Sequence, residues 1–131
     1  MYRMLEVDCD QLQQYLKWLD LRKYRGGLAR LRCSSHKLRI ETGRHTGEPL
    51  ADRVCKLCLK NRNVYVLEDE YHHVMTCPSF IELRETYLTE WITDASYETF
   101  LNLLNATEEI TVKNLASFIY HANSSRTRML E

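Results

Sequence analysis

Cys55-Lys56-Leu57-Cys58, followed after thirteen residues by His72-His73-Val74-Met75-Thr76-Cys77-Pro78, is the stretch that decides how this chain folds. Two cysteines two residues apart bring both sulfurs within reach of one metal ion, and a distal histidine and cysteine complete a tetrahedron. Cys55, Cys58, Cys77 and one of His72 and His73 therefore read as the ligands of a zinc site. Three thiolates and one imidazole fill the four positions zinc takes, so the metal is expected to be structural and not catalytic. Adjacent helical residues point about 100° apart, so only one of the two histidines ligates. His73 to Cys77 is the i, i+4 relation of an unbroken helix, whereas His72 suits a helix that ends just before Pro78. Spacing alone leaves this choice open.

Charge divides at the same place. Residues 1–63 hold fourteen Lys/Arg against seven Asp/Glu, and residues 64–131 hold four against eleven, so a net charge of zero conceals halves of +7 and −7. A chain polarised in this way either offers a basic face to nucleic acid or docks its two halves on each other. At 131 residues it fits one domain: a basic helical segment at 1–53, the knuckle at 54–78 and an acidic helical segment at 79–131. No apolar run is long enough to span a membrane, and the first residues lack the apolar core of a signal peptide. The expected setting is intracellular, nucleus or cytoplasm, where cysteines serve as ligands or free thiols.

Working outward, Leu12, Tyr15, Leu16 and Leu19 recur at helical spacing behind an Asp8/Asp10 cap. Gly26-Gly27, after Arg22-Lys23-Tyr24-Arg25, reads as a break, and a second helix is expected from about Leu28 to His36. Gly43, Gly47 and Pro49 predict a loop over 41–53. Val64-Tyr65-Val66-Leu67 has the β-branched and aromatic composition of a short strand, and Glu68-Asp69-Glu70 places acids at a helix start. Helices are predicted from Pro78 through Ile92, from Ser96 to Leu104, and from about Thr107 to Ala122, with Ser124 to Arg128 fraying. The fold expected is mainly α: a small domain of about five helices around the knuckle, with at most a short β-hairpin.

Cys9 and Cys33 stand outside the ligand pattern and read as core residues, and His36, His45 and His121 have no ligand-spaced partners. No P-loop, G-x-S-x-G or paired-acid motif is visible, so neither an enzyme nor a small-molecule substrate is expected. Tyr24, set among Arg22, Lys23 and Arg25, reads either as a platform for stacking an unpaired base or as part of a solvated helix end.

Two phrases carry a resemblance. Leu28-Ala29-Arg30-Leu31-Arg32 through Lys37-Leu38-Arg39-Ile40 to Arg44-His45, and Val54-Cys55-Lys56-Leu57-Cys58 followed by Glu68-Asp69-Glu70-Tyr71-His72-His73 and Cys77-Pro78, together resemble the C-terminal zinc-knuckle region of reverse transcriptases of non-LTR, LINE-type retrotransposons. The resemblance covers about residues 28–84 and favours His72 over His73 as the ligand. It implies a module that holds RNA or single-stranded DNA, with Arg30, Arg32, Lys37 and Arg39 facing phosphate; Arg22, Lys23, Tyr24, Arg25 and Arg44 extend that candidate surface. This chain has neither the polymerase body nor its paired aspartates, so a fragment or a derived protein is the form the resemblance implies. The competing expectation is a zinc-stapled domain that binds another protein and no nucleic acid.

Overall fold

The computed structural model describes residues 22–32 and 38–130. The fold is mainly helical. Six α-helices are present among the described residues: α1 (Arg22–Arg32), α2 (Arg39–Thr46), α3 (Lys56–Arg62), α4 (Ile81–Tyr87), α5 (Tyr97–Leu104) and α6 (Glu109–Leu130). The helix expected over 12–19, and any extension of α1 toward His36, lie outside the described residues.

The scaffold is α6, whose 22 residues span about 33 Å at 1.5 Å each. Its buried side, Val112, Leu115, Ala116, Phe118, Ile119 and Ala122, is wider than a single stripe because α1 and α4 both pack along it and α3 meets it as well. From α1 come Leu28 and Leu31, and from around α4 come Phe80 and Leu88, all at most 2% exposed. The same continuous core includes Cys55, Cys58 and Cys77, so the knuckle is part of the interior and not an appendage.

Several sequence expectations are corrected. Gly26-Gly27 does not break a helix but lies inside α1. A Cβ at Gly27 would sit 3.2 Å from Ile119 Cγ2, so the missing side chain permits close approach to α6, offsetting glycine's helix cost of about 1 kcal/mol. The expected loop over 41–53 contains α2 and a 3₁₀ turn at Leu50–Asp52. Gly43 is buried within α2, where a Cβ would lie 2.6 Å from Arg53 Cγ, while Gly47 ends the helix at φ 75° as a left-handed cap. The expected strand at 64–67 reduces, among the described residues, to one antiparallel bridge between Val54 and Leu67.

The helix expected from Pro78 to Ile92 is shorter. A 3₁₀ turn at Pro78–Phe80 leads into α4, and the chain leaves the helix at Leu88 (φ −120°, ψ 32°). Thr86 and Thr89 hydroxyls bond back to the carbonyls of Glu82 and Glu85, at 3.0 and 2.8 Å, a pattern that weakens and bends helices. Helix α5 starts as predicted, with Ser96 Oγ accepting from Thr99 N at 3.2 Å. The end of α6 does not fray at Ser124: Arg126 forks onto Glu68, and Lys60 Nζ donates to the otherwise orphaned Met129 carbonyl at 3.0 Å.

Candidate metal centre

Each half of the ligand set is built by local backbone bonding. Cys55 is the N-cap of α3, and Cys58 lies in that helix's first turn. The Cys55 amide donates to Val66 O at 2.7 Å and the Glu68 amide to Arg53 O at 2.9 Å, so the bridge at Val54 and Leu67 clips the knuckle to the chain returning from it. Asn63, left-handed at φ 54°, ends α3 and lets the Val64 amide fold back onto Cys58 O at 3.3 Å.

The distal half is a π turn, His72–Thr76, in which the Cys77 amide donates to His72 O at 2.7 Å. In an α-helix, residues five apart point about 140° away from each other. The wider i to i+5 turn removes most of that divergence and places His72 and Cys77 on one side, and π turns of this kind recur at functional sites. Asp69 Oδ1 accepts from the His72 amide at 2.8 Å and fixes where the turn begins.

Cys55, Cys58, His72 and Cys77 are all buried, and their ligating atoms lie within 4.8 Å of one another. Cys77 Sγ is 4.0 Å from both Cys55 Sγ and Cys58 Sγ, and Cys58 Sγ is 3.4 Å from His72 Nε2. A tetrahedral ion with metal–sulfur bonds of about 2.3 Å needs S···S edges of about 3.8 Å. The group can therefore hold a metal ion with little rearrangement. His72 Nδ1 lies 3.0 Å from Thr76 Oγ1, so the tautomer in which Nδ1 donates to that hydroxyl leaves the Nε2 lone pair for a metal.

The thiols do not ionise alike: Cys55 and Cys58 are shifted toward the protonated form and Cys77 toward the thiolate. Its hydrogen bond to Cys77, with burial added, pushes Cys55 up to about 12. Burial raises Cys58, while the hydrogen bond from Cys55 lowers Cys77. A divalent cation removes this difference, because coordination strips the proton from each thiol.

His73 takes another role. It is 1% exposed, its Nε2 is 3.0 Å from Asn123 Oδ1 on α6, and its ring meets Phe80 edge-on at 5.0 Å. His72→Ala is accordingly expected to lose the metal, whereas His73→Ala keeps it and costs packing and the hydrogen bond to Asn123. Metal stoichiometry by native mass spectrometry separates the two, and metal loss in His73→Ala alone would reverse the assignment.

The candidate nucleic-acid residues are dispersed. Arg22, Lys23 and Arg25 fall at the start of α1, and Lys37 lies outside the described residues. Tyr24 packs on the core, edge-on to Tyr120 at 5.0 Å. Arg30 is exposed; Arg32 is buried, its Nη2 donating to Ala106 O at 3.2 Å. Arg39 pairs with Glu48, and Arg44 with Glu41 at 2.7 Å.

Another group of cations lies nearer the cluster. Lys56, Lys60 and Arg62 are exposed along α3, and Tyr65 just beyond it is 72% exposed. The signal was present, since residues 53–67 contain four Lys/Arg and no Asp/Glu, but the glycine-flanked segment upstream drew the reading instead. No protein-family model, curated protein or solved structure matches the chain.

Proposed function

We propose that this chain is a non-catalytic zinc module that binds RNA or single-stranded DNA and derives from the C-terminal region of a non-LTR retrotransposon reverse transcriptase. The observation that carries the zinc assignment is the buried Cys55, Cys58, His72 and Cys77 group. Three sulfurs and one nitrogen in a tetrahedral frame select zinc over harder ions, and a filled coordination shell leaves no position for a reacting water. The metal staples the returning chain at Cys77 to α3.

Nucleic-acid binding is supported by the exposed outer side of that staple. Lys56, Lys60 and Arg62 form no ion pair with a carboxylate among the described residues. Arg128, also exposed, neighbours the Met129 carbonyl that holds Lys60. Cations flanking an exposed tyrosine suit a single strand, where phosphates meet charge and an unpaired base stacks on the ring. The pairing of Arg39, Arg44 and Arg126 with acids of this chain favours the second reading, a protein-binding domain with no nucleic-acid affinity.

Fluorescence anisotropy with labelled single-stranded RNA and DNA tests the choice. Three phosphate contacts give a log–log salt slope near −2, so affinity should fall about 20-fold between 50 and 200 mM salt. Joint reversal of Lys56, Lys60 and Arg62 to Glu should remove it. Absence of binding to any oligonucleotide at low salt assigns the chain to the protein-binding class.

A further inference from the structure

Pro78 leaves a defect in the metal-binding turn. Proline has no amide hydrogen, so the Val74 carbonyl four residues earlier has no α-helical donor there. That carbonyl accepts instead from Arg84 Nη1 at 3.4 Å, and Arg84 Nη2 donates to the carbonyl of Cys77, itself one of the four candidate ligands. The guanidinium is thus held against the backbone of the π turn and of its terminal ligand. Arg84 is 6% exposed.

A guanidinium keeps its charge at any pH proteins tolerate, and an uncompensated buried charge is strongly destabilising. No carboxylate forms an ion pair with Arg84 among the described residues. Arg126 also acts on Cys55 and Cys77 but is engaged by Glu68, and Arg62, which acts on Cys58, is exposed to solvent. A divalent ion bound by three thiolates and a neutral imidazole carries a net charge of minus one. The anion that Arg84 requires, and the cation that such a centre requires, are therefore each other.

We propose that Arg84 is the counter-ion of the metal–thiolate centre: a positioning residue that neutralises the charge of the loaded cluster while orienting Cys77 through its carbonyl. This rests on the reading of Cys55, Cys58, His72 and Cys77 as a metal site. The role separates into two parts, charge and carbonyl hydrogen bonds. Arg84→Lys keeps the charge with poorer geometry, and Arg84→Gln keeps a donor without the charge.

Both variants and the wild type are loaded with Zn²⁺ or Co²⁺. Affinity is read by competition with a chromophoric chelator, and the coordination sphere by the Co²⁺ thiolate charge-transfer band. The Gln variant should lose at least about tenfold in affinity and release zinc correspondingly faster, whereas the Lys variant should lose less than about tenfold. Gln behaving as wild type, or Lys failing as badly as Gln, overturns the proposal and leaves Arg84 as a backbone clamp. Should the Gln variant not fold, the Lys variant decides alone: a loss beyond about tenfold overturns the proposal. A wild-type chain that binds neither ion defeats the metal-site reading itself, a result distinct from wild-type loading with an indifferent Arg84.

Discussion

On the proposed zinc-module reading, replacement of Cys58 or Cys77 by serine is expected to abolish metal binding and to unfold the segment from Arg53 to Phe80. Structural zinc contributes on the order of 10 kcal/mol in model peptides, far above the stability reserve of a typical domain region of this size. The segment has little to substitute for it. Its β-pairing is one bridge, α3 has seven residues, and the His72 carbonyl of the π turn is held by the Cys77 amide at 2.7 Å and by a long contact from Thr76 Oγ1 at 3.5 Å. Because Cys55, Cys58 and Cys77 belong to the continuous core, the loss should spread to Val74, Leu57 and Phe80. Native mass spectrometry reads the stoichiometry and hydrogen exchange reads the unfolding. A chelator applied to the wild type should reproduce both, and substitution of Cys9 or Cys33, outside the ligand pattern, should leave the metal stoichiometry unchanged. Full zinc retention in both serine variants would sink the assignment.

Legibility in the sequence followed the range of the interaction. The candidate cluster of Cys55, Cys58, His72 and Cys77 could be read because metal chemistry fixes residue type and spacing together, and no other motif in 131 residues competes with it. Helix α5 could be read because Ser96 and its apolar period are local signals. Gly26-Gly27 and Gly43 misled for one reason: glycine's local signal is a break, yet its use here is a close approach, to Ile119 in one case and to Arg53 in the other. Those partners are distant in sequence or lie across a turn, and nothing in the helix announces them. The choice between His72 and His73 turned on a π turn, which spacing does not encode. Ser124 to Arg128 appeared destined to fray because Ser, Thr and Arg form no apolar stripe, but a buried carboxylate 58 residues away holds Arg126 in place.

That carboxylate sets the second large effect. Glu68 is 2% exposed, accepts from Arg126 Nε and Nη2 at 2.8 and 2.7 Å, and also accepts from the Arg39 amide at 2.7 Å. Burial pushes its carboxyl up, but the Arg126 hydrogen bonds and charge, with the Arg39 amide, outweigh burial and hold it below its usual value of 4.5. Arg126→Met therefore strands a buried carboxylate, at an expected cost of about 3–5 kcal/mol in urea unfolding at neutral pH. Pairing it with Glu68→Met should recover much of that loss, because two apolar groups of similar size restore packing without an orphaned charge. The sign of the pH dependence follows from the lowered folded-state value. The pair's contribution is present in full above the unfolded carboxyl value of about 4.5 and is lost as pH falls through the lower folded one. The stability gap between wild type and Glu68→Gln should accordingly be widest at neutral pH and close only in the acid range below 4.5. A gap that instead widened on acidification, or an Arg126→Met cost under about 1 kcal/mol, would mean that the end of α6 is held by its apolar contacts, with the ion pair contributing no more than a surface one.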